Sequence, residues 1–121
     1  MDLKKFIKLG ITILVIDFLY LSLISGYFTN QIMLVQKENI KINILGFIIT
    51  YLALTFGLYY FIIKENKTPS DAFILGICIY AVYEYTNYTL FSQWKFGTTI
   101  IDTLWGGILF ALVTYVNYNL I

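Results

Sequence analysis

The chain has 121 residues, of which 60% are hydrophobic and only 12% are charged, with a formal net charge of +1. A soluble domain carries about a quarter charged residues, so this composition indicates an integral membrane protein and excludes a soluble enzyme. All eight basic residues are lysines, and a net charge so close to zero excludes a basic nucleic-acid binder.

A single cysteine, Cys78, and the absence of histidine limit the chemistry open to the chain. One cysteine forms no intramolecular disulfide, and Cys78 is interpreted as apolar filler within a span. The usual ligand sets for zinc, haem and iron–sulfur clusters are missing, so we predict no cofactor and no metal site of that kind. Protons and hard cations, which suit carboxylate oxygens, remain as candidate ligands.

Four apolar segments are predicted as transmembrane helices, and they cover residues 6–28, 42–63, 72–91 and 96–116. At about 1.5 Å per residue, each helix is roughly 30 to 35 Å long, which matches the hydrocarbon thickness of a bilayer. Short polar links predict antiparallel neighbours. The predicted fold is therefore all-α, an antiparallel four-helix membrane bundle that forms one domain over residues 1–121.

The sequences of the connections between these spans indicate where helices begin and end. The first connection, residues 29–41, fits either a short amphipathic helix in the membrane interface or a plain loop. Before the third span, Pro69 is followed by Ser70 as the expected N-cap and by Asp71 in the first turn. The third helix is therefore expected to begin there.

The lysines predict the orientation in the membrane, because cytoplasmic flanks carry the excess of basic residues. One side of the predicted topology carries Lys4, Lys5, Lys8, Lys64 and Lys67, and the other carries Lys37, Lys41 and Lys95. Both termini are therefore predicted to be cytoplasmic. A cleavable signal peptide is the alternative interpretation of the first segment, but Asp17 and the length of the apolar run favour a span.

Three carboxylic acids fall inside the predicted spans, namely Asp17, Glu84 and Asp102. An acid in hydrocarbon costs several kcal/mol, about 2.5 to 3.5 on the insertion scale, and no lysine lies at a similar depth. Each acid must be protonated, hydrogen-bonded to neutral donors or paired with a bound cation. All three lie at the midplane or in the outer half, which indicates a shared site that opens outward.

Helical periodicity places further polar and aromatic side chains beside the acids. Tyr80, Tyr83 and Asn87 share a stripe of the third span, Trp105 shares a face with Asp102, and Tyr20 neighbours the face of Asp17. The candidate ligand-binding residues are Asp17, Tyr20, Tyr80, Tyr83, Glu84, Asn87, Asp102 and Trp105.

Other residues are assigned structural roles. In the second span, Gly46, Thr50, Ala53 and Gly57 form a stripe of small residues that is expected to let another helix approach closely. Trp94, at the end of the third span, is interpreted as an anchor at the membrane interface. Tyrosines near the span ends, Tyr27, Tyr59, Tyr60, Tyr115 and Tyr118, are interpreted as an aromatic belt.

Two motifs resemble those of a known family. They are Tyr80-Ala-Val-Tyr83-Glu84-Tyr85-Thr86-Asn87 and Asp102-Thr-Leu-Trp105-Gly106. The chain resembles small four-span proteins known as predicted membrane proteins, a domain of unknown function. Asp17-Phe18-Leu19-Tyr20-Leu21 is similar to the family's Asp-x-x-Trp-Leu, whereas Glu84 stands where the family usually has Asp, and Lys95 where it usually has Pro.

The resemblance implies that Asp17, Glu84, Asn87, Asp102 and Trp105 belong to one motif set. The family has no established activity, so the resemblance implies none. Bacterial members tend to lie near genes of membrane-lipid modification, which favours a role that involves lipid.

Three functions remain open at this point. The favoured one is a membrane site that binds or moves a proton, a cation or a polar lipid head group. The alternatives are a purely structural membrane or envelope component, and an enzyme or accessory protein of lipid modification. The expected partners are the lipid bilayer, the ligand and a second copy of the chain in a homo-oligomer, with no nucleic acid among them.

The predicted topology can be tested with glycosylation. Asn66-Lys67-Thr68 is an acceptor sequence in the second connection, and it should stay unmodified in a eukaryotic host because that connection is predicted to face the cytosol. A mobility shift after endoglycosidase treatment is the measurement. Because Pro69 also disfavours modification, an acceptor site engineered beside Lys37 serves as the positive control. Modification at Asn66 would overturn the predicted orientation.

Overall fold

The structure is a computed structural model that describes residues 2–37 and 42–121, and this part of the chain contains four helices and no strand. The helices are α1 (Leu3–Gln36), α2 (Ile44–Leu58), α3 (Pro69–Leu90) and α4 (Phe96–Asn119), and a π-helical turn (Tyr59–Ile63) continues α2. The predicted all-α four-helix fold is confirmed.

Three of the helical segments are long and apolar enough to cross a membrane, and they are Leu3–Gln36, Ile44–Ile63 and Phe96–Asn119. Helix α3 has 22 residues, a sufficient length, but its tyrosines, Glu84 and Asn87 make it more polar than the other three. A third span at residues 72–91 therefore stays a prediction.

Helix α1 is longer than the predicted first span. It continues without a break to Gln36, so the loop interpretation of residues 29–36 is wrong, and residues 38–41 lie outside the described part. No proline interrupts this stretch, and the helix ends only at Lys37, whose φ of 59° is left-handed. At about 1.5 Å per residue, its 34 residues span roughly 51 Å.

The start of α3 differs by two residues from the expected cap. Thr68, not Ser70, is the N-cap, because Pro69 occupies the first helical position, where its missing N–H costs nothing. The Thr68 hydroxyl accepts from the Asp71 backbone N–H at 3.2 Å, and the Asp71 carboxylate accepts from the Thr68 backbone N–H at 3.4 Å. This reciprocal pair forms a capping box.

The closest helix pair in the described structure is α3 with α4, and glycines make it possible. A Cβ atom built on Gly76 would lie 2.2 Å from the backbone oxygen of Gly106, and one built on Gly106 would lie 2.2 Å from the ring of Tyr80. No larger residue fits either position without moving backbone or ring. The two helices therefore touch along a seam of Gly76, Gly106 and Gly107.

The small residues of α2 do not form such a seam. A Cβ atom on Gly57 would meet nothing within 4 Å, and one on Gly46 would meet only its neighbour Asn43. Thr50 and Ala53 are exposed. The expectation that this stripe packs closely against another helix is therefore wrong among the described residues, because no other helix lies against Gly46 or Gly57.

Helix α1 packs against both α2 and α4, whereas α2 and α3 do not pack along each other even though only residues 64–68 join them. The apolar core lies toward the termini, where α1 meets α2 and α4; its fully buried members include Leu9, Ile13, Leu58, Leu109 and Phe110. The bundle is therefore closed at its terminal end and leaves a gap between α2 and α3.

At the other end of the bundle, Gln31 of α1 hydrogen-bonds to residues 93–98, at the corner that connects α3 to α4. Its side-chain amide donates to the Gln93 carbonyl at 2.7 Å, while its oxygen accepts from the Lys95 backbone N–H at 2.9 Å and from the Thr98 hydroxyl at 2.7 Å. Helix α4 has no side-chain cap of its own. Gln31 supplies that cap from another helix.

We expect Gly106→Ala to lower the free energy of unfolding by about 1 to 3 kcal/mol, because the added methyl group overlaps the Tyr80 ring. Unfolding in mixed micelles, followed by circular dichroism, is the measurement. Gly57→Ala is the matched control; its added methyl group meets nothing, and alanine favours a helix more than glycine does, so it should leave the stability unchanged or raise it by up to about 1 kcal/mol. Equal stabilities for the two variants would contradict the glycine seam.

We expect Gln31→Met to cost about 1 to 3 kcal/mol per backbone or hydroxyl group left unpaired at the corner. The same unfolding experiment measures this loss, and hydrogen exchange at Lys95 should accelerate because its N–H loses its acceptor. Asn30→Leu, at the exposed neighbouring position, is the control. Unchanged protection at Lys95 would show that Gln31 does not cap α4.

Candidate functional site

Asp17 joins three helices through its carboxyl group. Its Oδ1 accepts from the indole N–H of Trp105 on α4 at 2.9 Å, and its Oδ2 accepts from the hydroxyl of Tyr51 on α2. Only 6% of the residue is exposed. Both oxygens act as acceptors from neutral donors, so the carboxyl group is held without a basic partner.

Asp102 lies about one helical turn from this contact. Its Oδ1 faces the hydroxyl of Tyr20 at 3.5 Å, and the Tyr20 ring stacks on the indole of Trp105, with ring centres 4.1 Å apart and planes 4° apart. The stacked pair therefore links Asp102 to Asp17 through two aromatic side chains.

Glu84 is completely buried. Its Oε1 accepts from the indole N–H of Trp94 at 3.0 Å, while its Oε2 has no hydrogen-bond partner within the described structure. The carboxyl group of Asp102 interacts with that of Glu84. Two of the three acids therefore act on each other across α3 and α4.

Trp94 is a partner of Glu84 and not an interface anchor, so the interpretation as an anchor is wrong. Only 5% of it is exposed, because the corner after α3 folds back and places the indole over Glu84. Tyr59 also departs from the proposed aromatic belt: it is buried, and its hydroxyl accepts from the Asp2 backbone N–H at 3.0 Å.

A cavity of about 420 Å³ adjoins these acids, and it is lined in part by α2 and α3, which make few close contacts with each other. All four helices contribute to its lining, which comprises Asp17, Tyr20, Leu21, Phe28, Thr50, Tyr51, Leu54, Ile79, Tyr80, Tyr83 and Asp102. Its α1 residues run from Asp17 to Phe28, so it extends away from the termini. The lining combines two carboxyl groups and several hydroxyl groups with an apolar wall.

The eight candidate residues are placed unequally. Five of them line the cavity, namely Asp17, Tyr20, Tyr80, Tyr83 and Asp102. Trp105 and Glu84 do not line it, but they contact Asp17 and Asp102 respectively. Asn87 does neither: it is half-buried and lies beside the side chain of Tyr83.

Sequence reasoning missed Tyr51, which binds Asp17 directly. The available signal was its depth, because Tyr51 lies near the middle of the predicted second span, far from the interfaces where tyrosine is common. It also missed Trp94 as a hydrogen-bond donor to Glu84. A tryptophan at the end of a span looks the same in the sequence whether it anchors the helix at the membrane interface or donates to a buried acid.

Within the described residues, no lysine lines the cavity, and no three acidic or cysteine side chains lie close enough together to hold a metal ion. Cys78 is exposed on the outside of α3. The site is thus built from carboxyl groups, phenols and indoles.

Comparisons with known proteins agree with a membrane protein. No curated protein and no solved structure matches the chain. A family model does match, and it covers residues 3–119, nearly the whole chain. The protein therefore resides in a membrane, and the chain belongs to the family described as predicted membrane protein (DUF2177).

Proposed function

We propose that the protein binds the cationic head group of an amphiphilic molecule within the membrane. The observation that carries this proposal is the cavity that α2 and α3 both line, which presents Asp17 and Asp102 beside an apolar wall and has no basic side chain among its described lining residues. A cation would supply the charge that the protein itself does not provide at this place.

Electrostatics favours a cation over an anion or a neutral sugar. In a medium of low dielectric constant, two carboxyl groups without a basic partner make the site attractive to positive charge and repulsive to negative charge. The hydroxyl groups of Tyr20 and Tyr51 already face the acids, so they orient the carboxyl groups without neutralising them.

The aromatic side chains fit the same ligand. Tyr20, Tyr51, Tyr80 and Tyr83 line the cavity, and phenol rings attract an ammonium group through their faces. Leu21, Phe28, Leu54 and Ile79 offer an apolar surface for the carbon chain that follows such a head group. The lining therefore suits an amphiphile better than a bare metal cation.

The gap between α2 and α3 supports entry from the side. These two helices do not pack along each other, and Thr50 and Tyr83, which line the cavity from either side of the gap, are both exposed. An amphiphile dissolved in the bilayer would reach the acids through this gap without leaving the lipid.

A structural role is the second candidate, and one observation favours it. Both oxygens of Asp17 already accept hydrogen bonds from protein donors, so Asp17 could serve only to fix the register of α1, α2 and α4. Under that alternative the cavity would hold acyl chains without regard to charge.

Thermal unfolding of the full chain in maltoside micelles separates the two functions. We expect dodecyltrimethylammonium at about a hundred times its dissociation constant to stabilise the wild type by about 2.7 kcal/mol, and dodecyl maltoside, which has no charge, to add nothing comparable. Asp102→Asn and Asp17→Asn should each abolish most of this stabilisation, because the amide keeps the shape of the side chain and removes its charge.

Glu65→Gln is the matched control, since Glu65 is an exposed acid in the connection between α2 and α3 and does not line the cavity. It should respond to the cation like the wild type. Equal stabilisation of all four proteins, or none in the wild type, would remove the binding function and leave the structural one.

A further inference from the structure

Helices α3 and α4 bring two carboxyl groups together one turn beyond their closest contact. The Tyr80 ring lies against Gly106, where a Cβ atom would be 2.2 Å from the ring. Glu84 follows Tyr80 by one turn on α3, and Asp102 precedes Gly106 by one turn on α4. Because the helices are antiparallel, both steps lead in the same direction, and the two carboxyl groups interact.

Both carboxyl groups of this pair are buried, and their oxygens have fewer hydrogen-bond donors than they could accept. Glu84 has no exposed surface, and Trp94 donates to its Oε1, but its Oε2 has no partner in the described part of the chain. Asp102 is 7% exposed and receives one long contact from the Tyr20 hydroxyl. A buried carboxylate oxygen without a donor is costly, so a proton at this position would satisfy it.

Among the described residues, the groups that face the pair are neutral or acidic. These groups are Asp17 and Tyr20 from α1, Tyr51 from α2, Tyr80 and Tyr83 from α3, Trp94 from the corner and Trp105 from α4. Lys8, the lysine that precedes Asp17 on α1, lies nine residues away, about 14 Å along the helix. Lys95, the residue before α4, lies seven residues from Asp102, about 10 Å along the helix. Among the described residues, no lysine is one of the groups that act on either carboxyl group.

Only one of the two acids reaches the cavity. Asp102 belongs to its lining, whereas Glu84, which is fully buried, does not. A cation in the cavity would approach Asp102 directly and act on Glu84 through it. The arrangement resembles other carboxyl pairs that share one proton because two adjacent like charges are unfavourable.

We propose that Glu84 and Asp102 hold one proton between them and that a cation bound in the cavity expels it. The proposal rests on the cation-binding function. In the exchange, one carboxylic acid and one carboxylate become two carboxylates, one cation enters, and one proton leaves to water, so the net charge of the site stays the same. Cation and proton then compete for the same pair of acids.

Isothermal titration calorimetry with dodecyltrimethylammonium tests this exchange. Titrations of the full chain in two buffers of different ionisation enthalpy give the number of protons released, which should be about one per cation for the wild type. The association constant should rise by up to about tenfold for each unit of pH while the pair holds its proton. Glu84→Gln, which keeps an acceptor for Trp94, should bind the cation with no proton released and little dependence on pH.

Glu65→Gln is again the control and should release the same proton as the wild type. Binding to the wild type without proton release would overturn the exchange and leave the cation-binding function in place, whereas no binding to the wild type would overturn that function itself. Proton release that persists in Glu84→Gln would assign the proton to other groups and also overturn the proposal. If Glu84→Gln does not fold, the wild-type titrations alone still show whether cation binding releases a proton.

Discussion

The close approach of α3 and α4 is the constraint on which the rest of the site depends. Gly76 and Gly106 let the two backbones nearly touch, and this fixes what lies one turn away on either helix. Glu84 and Asp102 interact there, and the short corner that follows α3 brings Trp94 over Glu84. A wider spacing between these helices would separate the acids and admit lipid between them.

The groups that contact the three acids differ in whether they can only donate a hydrogen bond or can also accept one. An indole N–H only donates, so Trp105 and Trp94 can face only acceptor oxygens, and they do so on Asp17 and Glu84. Tyrosine can donate or accept, which leaves the contacts of Tyr51 and Tyr20 able to adapt to the state of their acids. Around the acids, Trp94 and Trp105 are therefore obligatory donors, whereas Tyr20 and Tyr51 can donate or accept.

The sequence sufficed to predict the helices and the acids, because both depend on strong and local physical rules. Apolar length predicts a span, and a carboxyl group within one is costly enough to demand partners, which is why Asp17, Glu84 and Asp102 stood out. Their direct partners were harder to predict. Tyr51 and Trp94 contact the acids across helices, and such contacts depend on rotation and spacing, which one sequence does not specify.

The same limit explains the errors of packing. The chain has two sets of small residues, one on α2 and one divided between α3 and α4, but only the second lies between helices. Nothing in the pattern of either set tells which way its helix is turned. Likewise, the stretch up to Gln36 is polar enough to suggest a connection, yet it continues α1, and Gln31 within it is bonded at the α3–α4 corner.

The gap between α2 and α3 has a consequence for how affinity would be measured. A solute that enters sideways is in equilibrium with the site at its concentration in the bilayer, not at its concentration in water. Each additional methylene on its chain favours partitioning by about 0.8 kcal/mol, roughly fourfold, without any new contact with the protein. Chain length would therefore set the apparent dissociation constant in water, while the acids and tyrosines would set the constant expressed per lipid.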